Sequence, residues 1–401
     1  MPLKLRLAIV VSHPIQHFVH LYREIAKQGE VELKVFFCSK IGMQAYHDRE
    51  MNTVIQWAGD MTAGYEHEFL QGSDNINRVE FSTVNNPGVG ERLSAFGPDA
   101  VMLYGYAQIT QLRALAWCRL RRIPVLMTGD GDYVKQRSSL RGAVRALVLG
   151  VLLKQVSGFL TVGDQNERML AALDVPRGKM FRTPFPIDEA AYLSHRERRT
   201  EERARVRHKF SIPDDAFVVL FVGKISDRKR PRDLVAAWSK LQQRSAPTKV
   251  RLLYCGDGPD RPQLEKAIAD CGAAATLGGF VNIDELPAYY CASDVLAHPS
   301  EHDPHPLICS EAAAIGLPLI LSDKVGAVGP TDIAREGENA LVYKCGDANA
   351  LADAISKLAD NAAFQAACSA ASLRIYGECG LEASVRGVVR AVRAVSKRTP
   401  A

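Results

Sequence analysis

Short, unbroken apolar runs separated by amphipathic stretches recur along the whole 401-residue chain, and this alternation restricts the fold more than any other feature. A run that is apolar at every position, such as residues 218–222, has no polar face to turn to water and suits a parallel strand covered on both sides. The first half carries such runs at 5–11, 32–37, 100–103, 124–127 and 158–162, with amphipathic stretches at 18–27 and 110–121 between them. The second half repeats the pattern at 218–222, 250–255, 275–277, 295–297, 319–321 and 340–343. This is α/β layering, and the length exceeds what one core usually supports. Two doubly wound, Rossmann-like domains facing a central cleft are therefore expected, with ligands outside the carboxyl ends of the strands. The expected limits are 1–190, a linker at 191–212, and 213–375, with a helix over 381–397 packing back on the first domain. The arginine- and glutamate-rich residues 192–209 are expected to form a solvated linking helix.

A formal charge of +5, with no compact basic motif interleaved with aromatics, gives no reason to expect nucleic acid as a partner. The nine cysteines include no C-x-x-C pair, which points to buried, reduced thiols rather than a disulfide framework or a zinc site. Residues 5–11 read as a first strand rather than a signal peptide, and no stretch reaches the ~20 apolar residues of a spanning helix. A cytoplasmic protein is expected. Arg137, Arg141, Arg145 and Lys154 accompany the apolar run 146–153, with Arg119, Arg121 and Arg122 nearby in sequence. This pattern suits either a core helix with a basic edge or a helix on anionic lipid; the second implies peripheral association with the inner face of the plasma membrane.

The chemistry concentrates in the second half. Residues 299–311 hold Asp303 in a proline-rich loop and Glu311 beside an apolar, alanine-rich run that reads as a helix ended by Gly316 and Pro318. His305 and Pro306 lead into this helix, so the backbone N–H groups of Leu307 and Ile308 are placed to meet a phosphate. Glu311, one turn in, is placed to accept hydrogen bonds from sugar hydroxyls, which outlines a nucleotide-sugar site. A second corner is the strand end at Gly223, followed by Lys224 and Lys229. Two cations there suit a diphosphate, although a solvated turn has the same appearance. The Gly256-Asp257-Gly258-Pro259 turn is equally a plain turn or a ligand-facing one, and Phe280 and Val281 follow small residues against which a nucleobase edge can lie.

Taken together, Phe221-Val222-Gly223-Lys224 with Lys229, Gly256-Asp257-Gly258-Pro259, and Asp303 with Glu311 before Gly316-Leu317-Pro318 resemble family-four retaining glycosyltransferases of the GT-B fold. The likeness is specific over about 215–360. It is looser in the first half, through Ser12-His13-Pro14-Ile15-Gln16-His17 and Thr128-Gly129-Asp130-Gly131, and points to a bacterial branch of surface-polysaccharide pathways. It implies that Lys224 and Lys229 grip the donor diphosphate, Glu311 binds the ribose hydroxyls and Asp303 lies near the transferred sugar. Asp130, with Lys229 and Asp303, is the candidate catalytic set; Ser12, His13, His17 and Asp130 are the candidate acceptor side. No cofactor or metal is implied. Asp130-Gly131-Asp132 has the form of a metal motif but lies in the acceptor-side half.

Four features depart from the family pattern, the most telling being Asp130 where many relatives carry a histidine. Lys224 replaces an arginine and lacks its two-pronged contact, Asp303 replaces a glutamate one methylene longer, and the N-terminal glycine pair has no counterpart at Ile15-Gln16. The expected activity is transfer of a hexosyl unit, with retention, from a nucleoside-diphosphate sugar to a glycan or lipid-linked acceptor. The alternative is a non-catalytic, nucleotide-sugar-binding subunit.

Overall fold

The computed structural model describes residues 4–43, 46–48, 53–55, 60–129, 131, 149–244 and 249–396. The chain divides into two units: Met1–Gln44 with Gly59–Pro186 and Leu381–Ala401, and Ala45–Ala58 with Ile187–Gly380.

In the first unit seven parallel strands run, edge to edge, Glu66–Phe69, Val31–Phe37, Leu5–Val11, Ala100–Tyr104, Val125–Thr128, Gly158–Thr161 and Met180–Arg182. The five interior strands are those expected from apolar runs. The two edge strands were not, because an edge strand needs no continuous apolar run. Glu66–Phe69 carries two glutamates, and Lys34 bridges both, at 2.9 Å to Glu66 and 3.3 Å to Glu68. A short antiparallel pair, Tyr46–Asp48 with Thr53–Ile55, was likewise not anticipated. Helix Leu381–Val395 packs on Gly158–Thr161, Met180–Arg182 and helix Gln16–Gln28.

The second unit holds six parallel strands in the order Ala275–Leu277, Val250–Cys255, Phe217–Val222, Val295–His298, Leu319–Ser322 and Ala340–Tyr343. Alternate residues of one strand serve two cores. Val218, Leu220 and Val222 pack with Tyr290, Ala312 and Ile315 on one face, and Phe217, Val219 and Phe221 with Leu234, Trp238 and Ile355 on the other. Every residue of that strand is buried, which is why the run is apolar throughout.

The arginine-rich segment departs from expectation. Instead of a solvated linker it forms two helices, Glu189–Glu197 and Arg199–Lys209, packed on the second unit. Arg207 is 1% exposed and donates to the carbonyls of Ala292, Pro213, Asp214 and Ala216, each at 3.0 Å, and to Asp294 Oδ2 at 2.9 Å. Arg196 and Arg199 reach Ala314 O at 3.0 Å and Ile315 O at 3.3 Å. The Ala292, Ala314 and Ile315 carbonyls end helices Leu286–Ala292 and Leu307–Ile315, where the last carbonyls lack intrahelical partners and the dipole end is negative. The positive charge is thus used to finish buried helices, a role that a charge count cannot separate from solvation.

All nine cysteines are free; seven are buried, Cys345 is half-buried and Cys271 exposed. Among the described residues no helix is long and apolar enough to cross a membrane. Residues 149–153 are helical, whereas Arg137, Arg141, Arg145 and 146–148 lie outside the described residues.

Candidate functional site

The strand order of the second unit locates a site before any side chain is considered. From Phe217–Val222 the chain builds outward to Val250–Cys255 and Ala275–Leu277, then returns to the other side at Val295–His298. Between these two neighbouring strands lies a topological switch point, where connections leave in opposite directions and open a crevice at the carboxyl ends.

Gly223 ends the first of these strands with φ +139°, a backbone conformation that side-chain-bearing residues rarely adopt, yet a Cβ there would meet no atom within 4 Å. Its face is open. Gly256 differs: a Cβ on it would lie 1.9 Å from the Gly223 carbonyl, and one on Gly258 2.3 Å from that of Ile225. The Gly-Asp-Gly-Pro turn is zipped to the strand end by Gly223 N–H to Cys255 O at 3.0 Å and Ile225 N–H to Asp257 O at 2.9 Å. Its glycines therefore answer to chain packing, while Gly223 leaves room. Phe280 and Val281 are half-buried, Val281 against the core.

Beyond Gly223 the chain passes half-buried Lys224 and a single 3-10 turn, Asp227–Lys229. The loop after Val295–His298 locks onto this turn through Glu301 N–H to Arg228 O at 2.9 Å and Ser300 Oγ to the same carbonyl at 3.2 Å. This brings the Lys229 ammonium onto Asp303 Oδ2. His298 Nε2 approaches the same oxygen at 2.7 Å. Burial opposes the charge on Asp303, but the His298 hydrogen bond and the charges around it outweigh burial and hold the carboxyl at about 2. Burial pushes His298 down from its usual value, against the opposing pull of Asp303.

Helix Leu307–Ile315 begins at Pro306 with no side chain capping it and no acidic residue in its first turn. Buried His305 places Nε2 2.9 Å from Asp332 Oδ1 just ahead of this turn. Glu311 sits deeper than the sequence suggests. It is buried, accepts a 2.6 Å hydrogen bond from Tyr290 Oη, and burial raises its carboxyl above the usual range. The buried Cys309 thiol in this helix is pushed up, first by burial and then by Asp303, Asp332 and Glu311.

Lys229 thus meets Asp303, His305 and Pro306 lead into the helix start at Leu307 and Ile308, and Glu311 lies within that helix against Tyr290. His298, Asp332 and Tyr290 were missed. The signal for His298 was present: a polar residue ending an apolar strand at its carboxyl end, immediately before Pro299. Asp332 and Tyr290 have none, since their partners lie 27 and 21 residues away.

In the first unit Ser12, His13 and His17 stand where Leu5–Val11 passes into helix Gln16–Gln28, beside that sheet's own switch point. Ser12 Oγ is 2.8 Å from His13 Nδ1, and the His17 ring lies tilted against Phe18 and Phe185 with centroids 4.2 and 5.7 Å away. Burial lowers both histidines to about 4, with His20 adding to the effect at His17. Asp130 and Asp132 lie outside the described residues. Among the described residues no group of three or more His, Cys, Asp or Glu is arranged to hold a metal.

The histidines predict an acid response with a definite sign. As pH falls from 6.5 toward 4 the unfolded chain takes up protons that folded His13 and His17 refuse, so stability is lost across that window. Asp303, depressed to about 2, adds a further loss only between about 3.8 and 2. Urea midpoints at pH 7 and pH 4.5 should differ, and His17→Phe should reduce the difference; an unchanged difference removes His17 from the account.

Residues 202–374 match the model of the family described as Glycosyl transferases group 1. A 2-deoxystreptamine glucosyltransferase of Streptomyces kanamyceticus is 31% identical over 195 residues, covering 46% of this chain and 49% of that protein. A lipopolysaccharide core biosynthesis glycosyltransferase, LpsE of Rhizobium meliloti, is 32% identical over 156 residues, covering 39% and 43%. The match with these curated relatives thus spans half their length or less. Anabaena HepE, solved in complex with UDP, superposes with a TM-score of 0.72 at 14% identity, over 98% of this chain and 100% of the other. At that identity the likeness concerns the fold.

Proposed function

We propose that this chain, a GT-B protein whose residues 202–374 carry a group 1 glycosyl transferase domain, transfers a hexosyl unit from a nucleoside-diphosphate sugar with retention of configuration. The observation that carries this reading is the convergence, at the switch point of the second unit, of Lys229, Asp303 and the uncapped start of helix Leu307–Ile315. A helix N-terminus and a lysine together suit a diphosphate, and both act most strongly when charge builds on it as the sugar departs. Lys224, five residues before Lys229, adds a second cation to the same loop. With these charges available the reaction needs no metal ion. Glu311 then exchanges its Tyr290 hydrogen bond for a ribose hydroxyl, or shares it.

On the acceptor side Ser12, His13, His17 and Asp130 are the proposed contacts. A glycan or lipid-linked acceptor used in cell-surface polysaccharide assembly fits the description of one relative, which names lipopolysaccharide core biosynthesis. Cytoplasmic action beside the membrane, with Arg119, Arg121 and Arg122 toward anionic lipid, follows from that acceptor. Equal flotation with anionic and neutral vesicles would reject the membrane part alone.

The test is a thermal-shift panel of UDP-, GDP- and ADP-sugars, followed by NMR of the anomeric product. A donor at a hundred times its Kd should stabilise the protein by ~2.7 kcal/mol. No shift with any donor sinks the reading. A shift with neither hydrolysis nor transfer identifies a binding subunit, and an inverted product overturns retention.

A further inference from the structure

Asp303 is held by two donors that meet on one oxygen. His298, the last residue of Val295–His298 and 1% exposed, brings Nε2 to 2.7 Å from Oδ2, and the Lys229 ammonium closes on the same atom. The imidazole is committed to this contact, since its Nδ1 is buried with no hydrogen-bond partner. The backbone beneath is equally fixed. Gly326 N–H donates to Asp303 O at 2.8 Å, and a Cβ on Gly326 would fall 2.0 Å from the Pro304 carbonyl, so the two backbone segments lie in close contact.

This arrangement poses a problem for any anion that recruits Lys229. When the ammonium turns to a diphosphate, the carboxylate it leaves has a side chain only 13% exposed. A buried carboxylate stripped of its cation is strongly unfavourable unless another donor remains. Resting on the donor-site reading above, we propose that His298 is a positioning residue whose hydrogen bond to Asp303 lets Lys229 pass from that carboxylate to the donor diphosphate. The imidazole stays behind as the carboxylate's partner, so the cation is released at low cost.

Calorimetric titration of the full chain with UDP, with GDP and ADP run in parallel, tests this. His298→Phe keeps the ring's shape and removes its donor, and should weaken UDP binding about tenfold or more. His298→Gln, whose amide can reach Oδ2, should stay within about threefold of wild type. The decisive variant is His298→Phe with Asp303→Asn, where no carboxylate is left stranded; affinity should return to within about threefold of wild type. A purely structural role for His298 would not be rescued this way. UDP binding unchanged by His298→Phe, or equally weak in the double variant, overturns the proposal. Should His298→Phe not fold, His298→Asn, whose shorter amide cannot reach Oδ2, takes its place: UDP binding weakened about tenfold supports the proposal, and unchanged binding overturns it. If the wild type binds none of the three diphosphates, the donor reading itself has failed.

Discussion

Lys229→Ala should lower kcat for donor turnover by about two to three orders of magnitude, the usual cost of removing one preorganised charge from a transition state. The lysine sits on a single 3-10 turn that Glu301 and Ser300 clamp to the neighbouring loop. Its backbone is therefore fixed before substrate arrives, and only the side chain has to turn from Asp303 to the diphosphate. The effect should fall mainly on kcat, because charge on the leaving diphosphate is greater in the transition state than in the bound donor. Loss of fold is a separate question, which thermal unfolding answers: Asp303 keeps its His298 hydrogen bond in the variant. Steady-state kinetics with a donor identified in the panel make the measurement, and activity within about twofold of wild type would refute the role.

Arg207→Met should cost about 3–5 kcal/mol of stability, close to the whole margin of many domains. The guanidinium is buried with its fork filled by four carbonyls and Asp294, so truncation leaves several acceptors without donors and one carboxylate short of a cation. Asp294 retains Arg203 and the Val218 N–H, which limits the damage. Arg203→Met is the informative contrast. Its side chain is 30% exposed, and its loss should cost no more than about 1.5 kcal/mol. Urea unfolding of the two variants measures both; equal costs would mean that burial does not set the difference.

The interior strands of both sheets were legible because a strand covered on both faces must be apolar at every position, as 217–222 is. Edge strands Glu66–Phe69 and Met180–Arg182 escaped because Glu66, Glu68 and Arg182 interrupt their apolar character, which an edge position tolerates. The carboxylates and cations of the site were visible as residue types at suggestive spacings. Their pairing was not. Glu311 reads in sequence as a free acceptor for sugar hydroxyls, yet it accepts from Tyr290 across the interface between two helices. The arginines of 192–209 read as solvated because composition counts charges without seeing the helix ends they close.

By itself the amino-acid order determined the layered α/β architecture, the strand-ending glycine at 223 and the prolines that keep 304–306 out of helix, since each follows from local backbone sterics and side-chain periodicity. Only tertiary structure decided that Lys229 and His298, 74 and 5 residues from Asp303, share one of its oxygens. That outcome depends on Phe217–Val222 lying beside Val295–His298, and strand order is settled by the packing of the whole sheet rather than by any segment of the chain.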